Sequence, residues 1–120
     1  MPATRCRRPP ATSARHFAAS IEQQLLNTDD YNYRYDSTTR LASGCDFGGT
    51  MAYRPVDTGT RVDLAGCALT AGLAMSGDAI LADDGSFSLD VTIRGQRLTY
   101  RRDADGRITV RGTFQGRPAG

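Results

Sequence analysis

Apolar and polar residues alternate with a period of two through the back half of the chain, whereas one stretch near the front repeats with a helical period. From Ser86 to Arg94, Phe87, Leu89, Val91 and Ile93 point one way, while Ser88, Asp90, Thr92 and Arg94 point the other. That alternation predicts a strand with one covered face. Gly95-Gln96 reads as a two-residue hairpin loop in which glycine supplies the positive φ of a type II′ turn. The loop places Ile93 across from Leu98, Val91 across from Tyr100, Thr92 across from Thr99 and Asp90 across from Arg101, with Arg94 facing Arg97 at the tip. The next turn, Ala104-Asp105-Gly106, sets Asp103 across from Arg107, Tyr100 from Val110 and Leu98 from Gly112. Ile108, Val110 and Phe114 then join the face of Leu98 and Tyr100, and a slip of a single residue would send all of them to solvent.

Upstream, Arg61 to Thr70 and Gly72 to Leu81 read as two further strands, and Met51 to Tyr53 closes a first strand that starts at Cys45. The sum, over residues 45–116, is a mainly β domain: an antiparallel meander of about six strands, as a small sandwich or an up-and-down barrel. One amphipathic helix, residues 13–28, precedes it. Ser13 is its N-cap, Phe17, Ile21 and Leu25 form its apolar stripe, Ala14, Ala18 and Leu26 widen the stripe, and Asn27 with Asp29-Asp30 ends it. An isolated helix of this length is marginal in water, so the stripe needs a surface to lie on. Residues 1–12, rich in Pro and Arg, read as an extended lead. Residues 29–44, with Tyr31, Tyr33 and Tyr35, read as a polar linker or an edge strand.

A chain of 120 residues fits one domain. The net charge of +2 is too small to imply a nucleic-acid partner. All the basic residues are Arg and Glu22 is the sole Glu, a bias that looks like the codon usage of a GC-rich genome rather than a phosphate-binding device. No segment approaches the roughly 20 apolar residues that span a bilayer, and the basic start lacks the apolar run of a signal peptide. Of the three cysteines, Cys45 and Cys67 sit in similar Gly-Cys settings on neighbouring predicted strands. Two states are open to them: a disulfide, closing a loop worth on the order of 3 kcal/mol, or two buried free thiols. Oxidising surroundings follow only from the first.

Catalytic and metal-binding patterns are weak. No Gly-x-Ser-x-Gly pentapeptide occurs, and Ser76 in Ala74-Met75-Ser76-Gly77 lies within a strand pattern. His16, the single histidine, falls on the outer side of the helix, and with no second imidazole or thiol pair at zinc spacing no metal site is expected. Asp103-Ala-Asp105-Gly106 resembles the opening of a calcium loop but lacks the closing Glu, and Asp83-Asp84-Gly85 is likewise explained as a turn. No cofactor is implied. Arg97, Arg101, Arg107 and Arg111 share the outward face with threonines, while Tyr100 and Phe114 face inward, so the stacking platform of a single-strand binder is missing.

The run Arg61-Val-Asp-Leu-Ala-Gly66-Cys-Ala-Leu-Thr-Ala-Gly72-Leu-Ala-Met-Ser-Gly77, the later Leu89-Asp-Val, the Gly95 turn and Gly112-Thr-Phe-Gln-Gly116-Arg resemble a known extension. It is the β-rich C-terminal extension of secreted actinobacterial α/β hydrolases of the tripeptidyl-aminopeptidase-like group. Pro2-Ala-Thr-Arg-Cys6 is similar to the segment that finishes such catalytic domains, and the resemblance covers roughly residues 2–8 and 45–117. It implies a non-catalytic accessory module, extracellular or in the cell envelope, whose parent is a serine hydrolase. Cys6 would be an orphan thiol that pairs with the catalytic body, and Phe17, Ile21 and Leu25 would dock on that body. No catalytic Ser, Asp or His of the family falls on a matching residue, and Cys45 and Cys67 have no place in the family pattern. The alternative is a stand-alone ligand-binding barrel or sandwich, with a pocket lined by Phe87, Leu89, Val91, Tyr100, Val110 and Phe114.

Overall fold

A computed structural model describes the backbone of residues 13–35 and 41–119, and the side chains of residues 13–26 and 44–119. The extended lead and Cys6 lie outside the described residues. Helix α1 (Ala14–Tyr35) is followed by β1 (Leu41–Gly44), β2 (Thr50–Val56), β3 (Gly59–Cys67), β4 (Met75–Ala82), β5 (Phe87–Ile93), β6 (Gln96–Arg102), β7 (Ile108–Phe114) and a two-residue β8 (Arg117–Pro118). Each strand pairs antiparallel with its neighbours in sequence, so β1 to β7 form one meander sheet and β8 folds back on the end of β7. Among the described residues the sheet does not close into a barrel and no second sheet packs on it: a single layer is covered by helix α1.

The pattern that predicts the strands also explains the cover. Met51 and Tyr53 of β2, Val62 and Leu64 of β3, Met75, Ala79 and Leu81 of β4, Phe87, Leu89, Val91 and Ile93 of β5, Leu98 and Tyr100 of β6 and Phe114 of β7 are all buried. Ala14, Phe17, Ala18, Ile21 and Leu25 of α1 belong to the same apolar cluster. The expectation that Phe17, Ile21 and Leu25 dock on a separate catalytic body is therefore corrected. They are 3%, 0% and 0% exposed, because the chain's own sheet already supplies the surface that the stripe requires. Leu26, at the margin of the stripe, remains 39% exposed. Ser13 caps the helix as expected, its Oγ accepting from the His16 amide at 3.1 Å.

Three local expectations also change. The helix runs past residue 28 to Tyr35, and Leu41–Gly44 pairs with β2, so the tyrosine-rich segment 29–44 contributes both helix and edge strand. The single strand expected from Cys45 to Tyr53 is instead the loop and second arm of a hairpin, since the β1–β2 turn lies at Cys45–Gly49. In the β5–β6 hairpin the turn residues are Arg94 (φ 53°) and Gly95 (φ 78°), both left-handed, a type I′ turn rather than II′. Val91 consequently pairs with Leu98, Leu89 with Tyr100 and Asp90 with Thr99, two residues away from the expected register. Because the side-chain period is two, a shift of two keeps every residue on its face, and the meander survives the error. The β6–β7 hairpin has the expected register, Tyr100 across from Val110 and Leu98 from Gly112, with Gly106 at φ 91° in the turn.

Glycine stands where a neighbouring strand leaves no room for a side chain. Gly77 (φ 148°) in β4 would bring a Cβ to 2.1 Å from the Asp90 carbonyl oxygen, and Gly112 (φ 100°) in β7 to 2.1 Å from that of Arg97. Only a residue without a side chain fits either place.

Coverage by α1 makes a direct prediction. Ile21→Ala should cost about 2–5 kcal/mol, whereas Leu26→Ala should stay within about 0.5 kcal/mol. Urea unfolding of the two variants beside the parent chain measures both.

Candidate functional site

The buried polar groups, which are where chemistry would be expected, hold the helix to the sheet. Glu22, 5% exposed, lies on α1 among apolar neighbours. Nη1 of Arg102, on β6, donates to its Oε1 at 2.8 Å and its Oε2 at 2.7 Å, and Nη2 of the same guanidinium donates to the Gly85 carbonyl at 2.6 Å. One arginine thus ties α1, β6 and the β4–β5 turn together. Burial pushes the Glu22 carboxyl above its ordinary value of 4.5, and the nearby Arg102 charge and hydrogen bond recover part of that rise. The Tyr53 hydroxyl donates to the Leu25 carbonyl at 3.0 Å, and the Phe17 and Phe114 rings stack with centroids 4.9 Å apart. Sequence reasoning missed the Glu22–Arg102 pair, whose partners are 80 residues apart. A Glu placed next to Ile21 in the apolar stripe was the available signal.

The residues proposed as a pocket lining sit in the core. Phe87, Leu89 and Val91 are 1% exposed, Tyr100 3% and Phe114 5%, and Val110 is half-buried at the sheet edge. Phe87 and Tyr100 pack with ring centroids 6.0 Å apart, and all of these side chains share one cluster with the α1 stripe.

Cys45 and Cys67 form a disulfide, with Cα atoms 5.5 Å apart. The loop that it ties is also held by main-chain bonds: the Phe47 amide donates to the Ala68 carbonyl and the Ala68 amide to the Gly48 carbonyl, each at 2.9 Å. Phe47 stands at its tip, 61% exposed.

On the outward face the strand register aligns three acids. Asp63 pairs with Asp78, and Asp78 with Asp90, across β3, β4 and β5. Like charges in directly opposed positions repel, and the flanking arginines offset this. Arg61 reaches Asp63 at 2.9 Å and Asp78 at 3.0 Å, Arg54 reaches Asp63 at 3.3 Å and Arg97 reaches Asp90 at 2.7 Å. Partial burial works to raise Asp63, but the hydrogen bonds and charges of Arg61 and Arg54 outweigh it and hold the carboxyl below its ordinary value. The Arg97 hydrogen bond does the same for Asp90. Asp84 is lowered by the hydroxyl and amide of Ser86, which both bond its Oδ1. Asp84 shares a surface depression with Asp57, Asp83 and Arg101. Among the described residues, no group of three or more His, Cys, Asp and Glu side chains is placed to hold a metal ion. His16 is exposed on α1, and the Ser76 Oγ accepts from the Gly66 amide at 2.9 Å.

No family model, no curated protein and no solved structure matches this chain.

The shifted carboxyls fix the pH response. With the native Glu22 value raised above 4.5, the folded chain holds more protons than the unfolded one just above that pH, so stability falls as pH rises through the window. Asp63 and Asp90 are lowered from 3.8, so their contribution is lost as pH falls below that value. Urea midpoints should therefore fall as pH drops below the ordinary Asp value, and Glu22→Gln should lessen the decline that follows as pH rises above the ordinary Glu value.

Proposed function

We propose that this chain is a non-catalytic accessory β module, working in oxidising surroundings as the C-terminal part of a secreted α/β hydrolase or peptidase. The observation that carries this reading is the use made of the interior. The buried apolar side chains of β2 to β6 pack in one cluster with α1, and the one buried carboxylate among the described residues is spent on Arg102. The Cys45–Cys67 bond adds the compartment, since such bonds persist where thiols are not kept reduced. No helix among the described residues is long and apolar enough to cross a membrane. The link to a hydrolase comes from the resemblance of residues 2–8 and 45–117 alone, and the contact with a catalytic body must use a surface other than the Phe17, Ile21 and Leu25 stripe.

Two measurements test the proposal. Purified chain, oxidised, should show no turnover of p-nitrophenyl esters or peptidyl anilides above buffer, and turnover abolished by a serine-directed phosphonate would overturn it. In the native organism, the reading frame upstream should continue into a sequence that encodes Gly-x-Ser-x-Gly; an upstream stop codon and ribosome site would sink the attachment to a hydrolase. The disulfide itself should matter to stability. Cys45→Ala/Cys67→Ala is expected to lose about 3 kcal/mol, read as a lower urea midpoint, and reductant should do the same to the parent chain but not to the double variant.

A further inference from the structure

Three turns of the sheet converge on the first turns of α1 at one end of the molecule. The β3–β4 loop brings Thr70, Ala71, Gly72 and Leu73, the β5–β6 turn brings Arg94 and the β7–β8 turn brings Gln115, beside His16, Phe17 and Ser20 of the helix. Together they form a groove of about 470 Å³, within the range of small-molecule sites. Its floor is apolar, made by the buried Phe17 and the half-buried Leu73; its rim is polar. We propose that this groove binds an organic carboxylate carrying a short apolar tail, with Arg94 as the anion anchor.

Charge makes the first part of the case. No Asp or Glu lines the groove, whereas Arg94 does. The Arg94 guanidinium is fixed by one nitrogen, Nη2 donating to the Gly72 carbonyl at 3.0 Å, and its Nε and Nη1 carry no hydrogen bond to a described residue. On the outward face of the sheet, Arg97 and Arg61 are already neutralised by carboxylates. A guanidinium held in place with donors to spare, above an apolar floor, matches a carboxylate joined to a hydrocarbon chain.

Backbone conformation makes the second part. Among the described residues, Arg94 (φ 53°) and Gln115 (φ 51°) are the two other than glycine with positive φ, and both line this groove. Each precedes a glycine in a tight hairpin turn, Gly95 and Gly116, where Asn or Gly would sit with less strain. The turns thus hold an arginine and a glutamine, at a conformational cost, where a smaller residue would serve the fold better. Gln115 and Thr70 supply amide and hydroxyl groups along the rim for polar atoms of the tail. This function is independent of attachment to a hydrolase.

Acetyl-Leu-Leu, its C-terminal amide and hexanoate, titrated into the ¹⁵N-labelled oxidised chain, test the proposal. The free acid should shift the amides of Gly72, Leu73, Gly95 and Gln115, and the C-terminal amide should bind at least about tenfold more weakly. Hexanoate, if bound at the same residues, identifies a simple acid as sufficient; its failure beside a binding peptide identifies a peptide end. Arg94→Asn suits the type I′ turn and so leaves the fold intact. It should weaken the acid by about tenfold or more, while Arg117→Asn, outside the groove, should leave it unchanged. Equal binding of acid and amide, shifts elsewhere on the surface, an unaffected Arg94→Asn variant or no binding at millimolar ligand would each overturn the assignment.

Discussion

A sheet one layer thick has one apolar face and nothing of its own to put on it, and that constraint governs this molecule. The alternation along β2 to β7 gathers Val62, Met75, Leu89, Val91, Leu98 and their neighbours on one side. Water on that side would remove most of the driving force for folding. The α1 stripe answers it, and the disposition of the polar groups follows. Glu22 is forced inside because it shares a helix with Ile21 and Leu25, and it stays ionised-compatible only because Arg102 reaches it.

The strand pattern was legible in the sequence because it depends on neighbours two residues apart. The faces of Phe87, Leu89, Val91 and Ile93 could be read without knowing any partner. Register was legible only where turn chemistry was unambiguous. Asp103 to Arg107, with Gly106 in the left-handed position, allowed one solution. Arg94-Gly95-Gln96 allowed two, and the choice turned on whether an arginine would accept a positive φ, which a preference scale argues against and the structure contradicts. What covers the sheet was not legible. An amphipathic helix beside a β meander shows that each needs a partner but not that they choose one another. Assigning Phe17, Ile21 and Leu25 to an outside surface was the consequence. The groove around Arg94 was out of reach for the same reason, since it is assembled from four separated stretches of chain.

The two faces of the sheet obey different physics. Inside, burial dominates and one ion pair is tolerated. Outside, Asp63, Asp78 and Asp90 stand in a row that would repel if their arginines were removed, so the face behaves as a lattice of alternating charge whose members are worth little singly. Such a face keeps solvent on it and discourages further sheets from stacking there, which fits a protein that is one sheet thick.

The 80-residue gap between Glu22 and Arg102 has a consequence for synthesis. The helix leaves the ribosome before every described strand, yet the strand that clamps it is the sixth of eight, and contacts so distant in sequence form slowly. Until the strands have followed it out, the greasy side of α1 lacks the resting place that the finished sheet gives it. The nascent protein therefore passes through a stage in which that apolar stripe is exposed to water, and the order of synthesis, not only the final packing, sets how long it stays so.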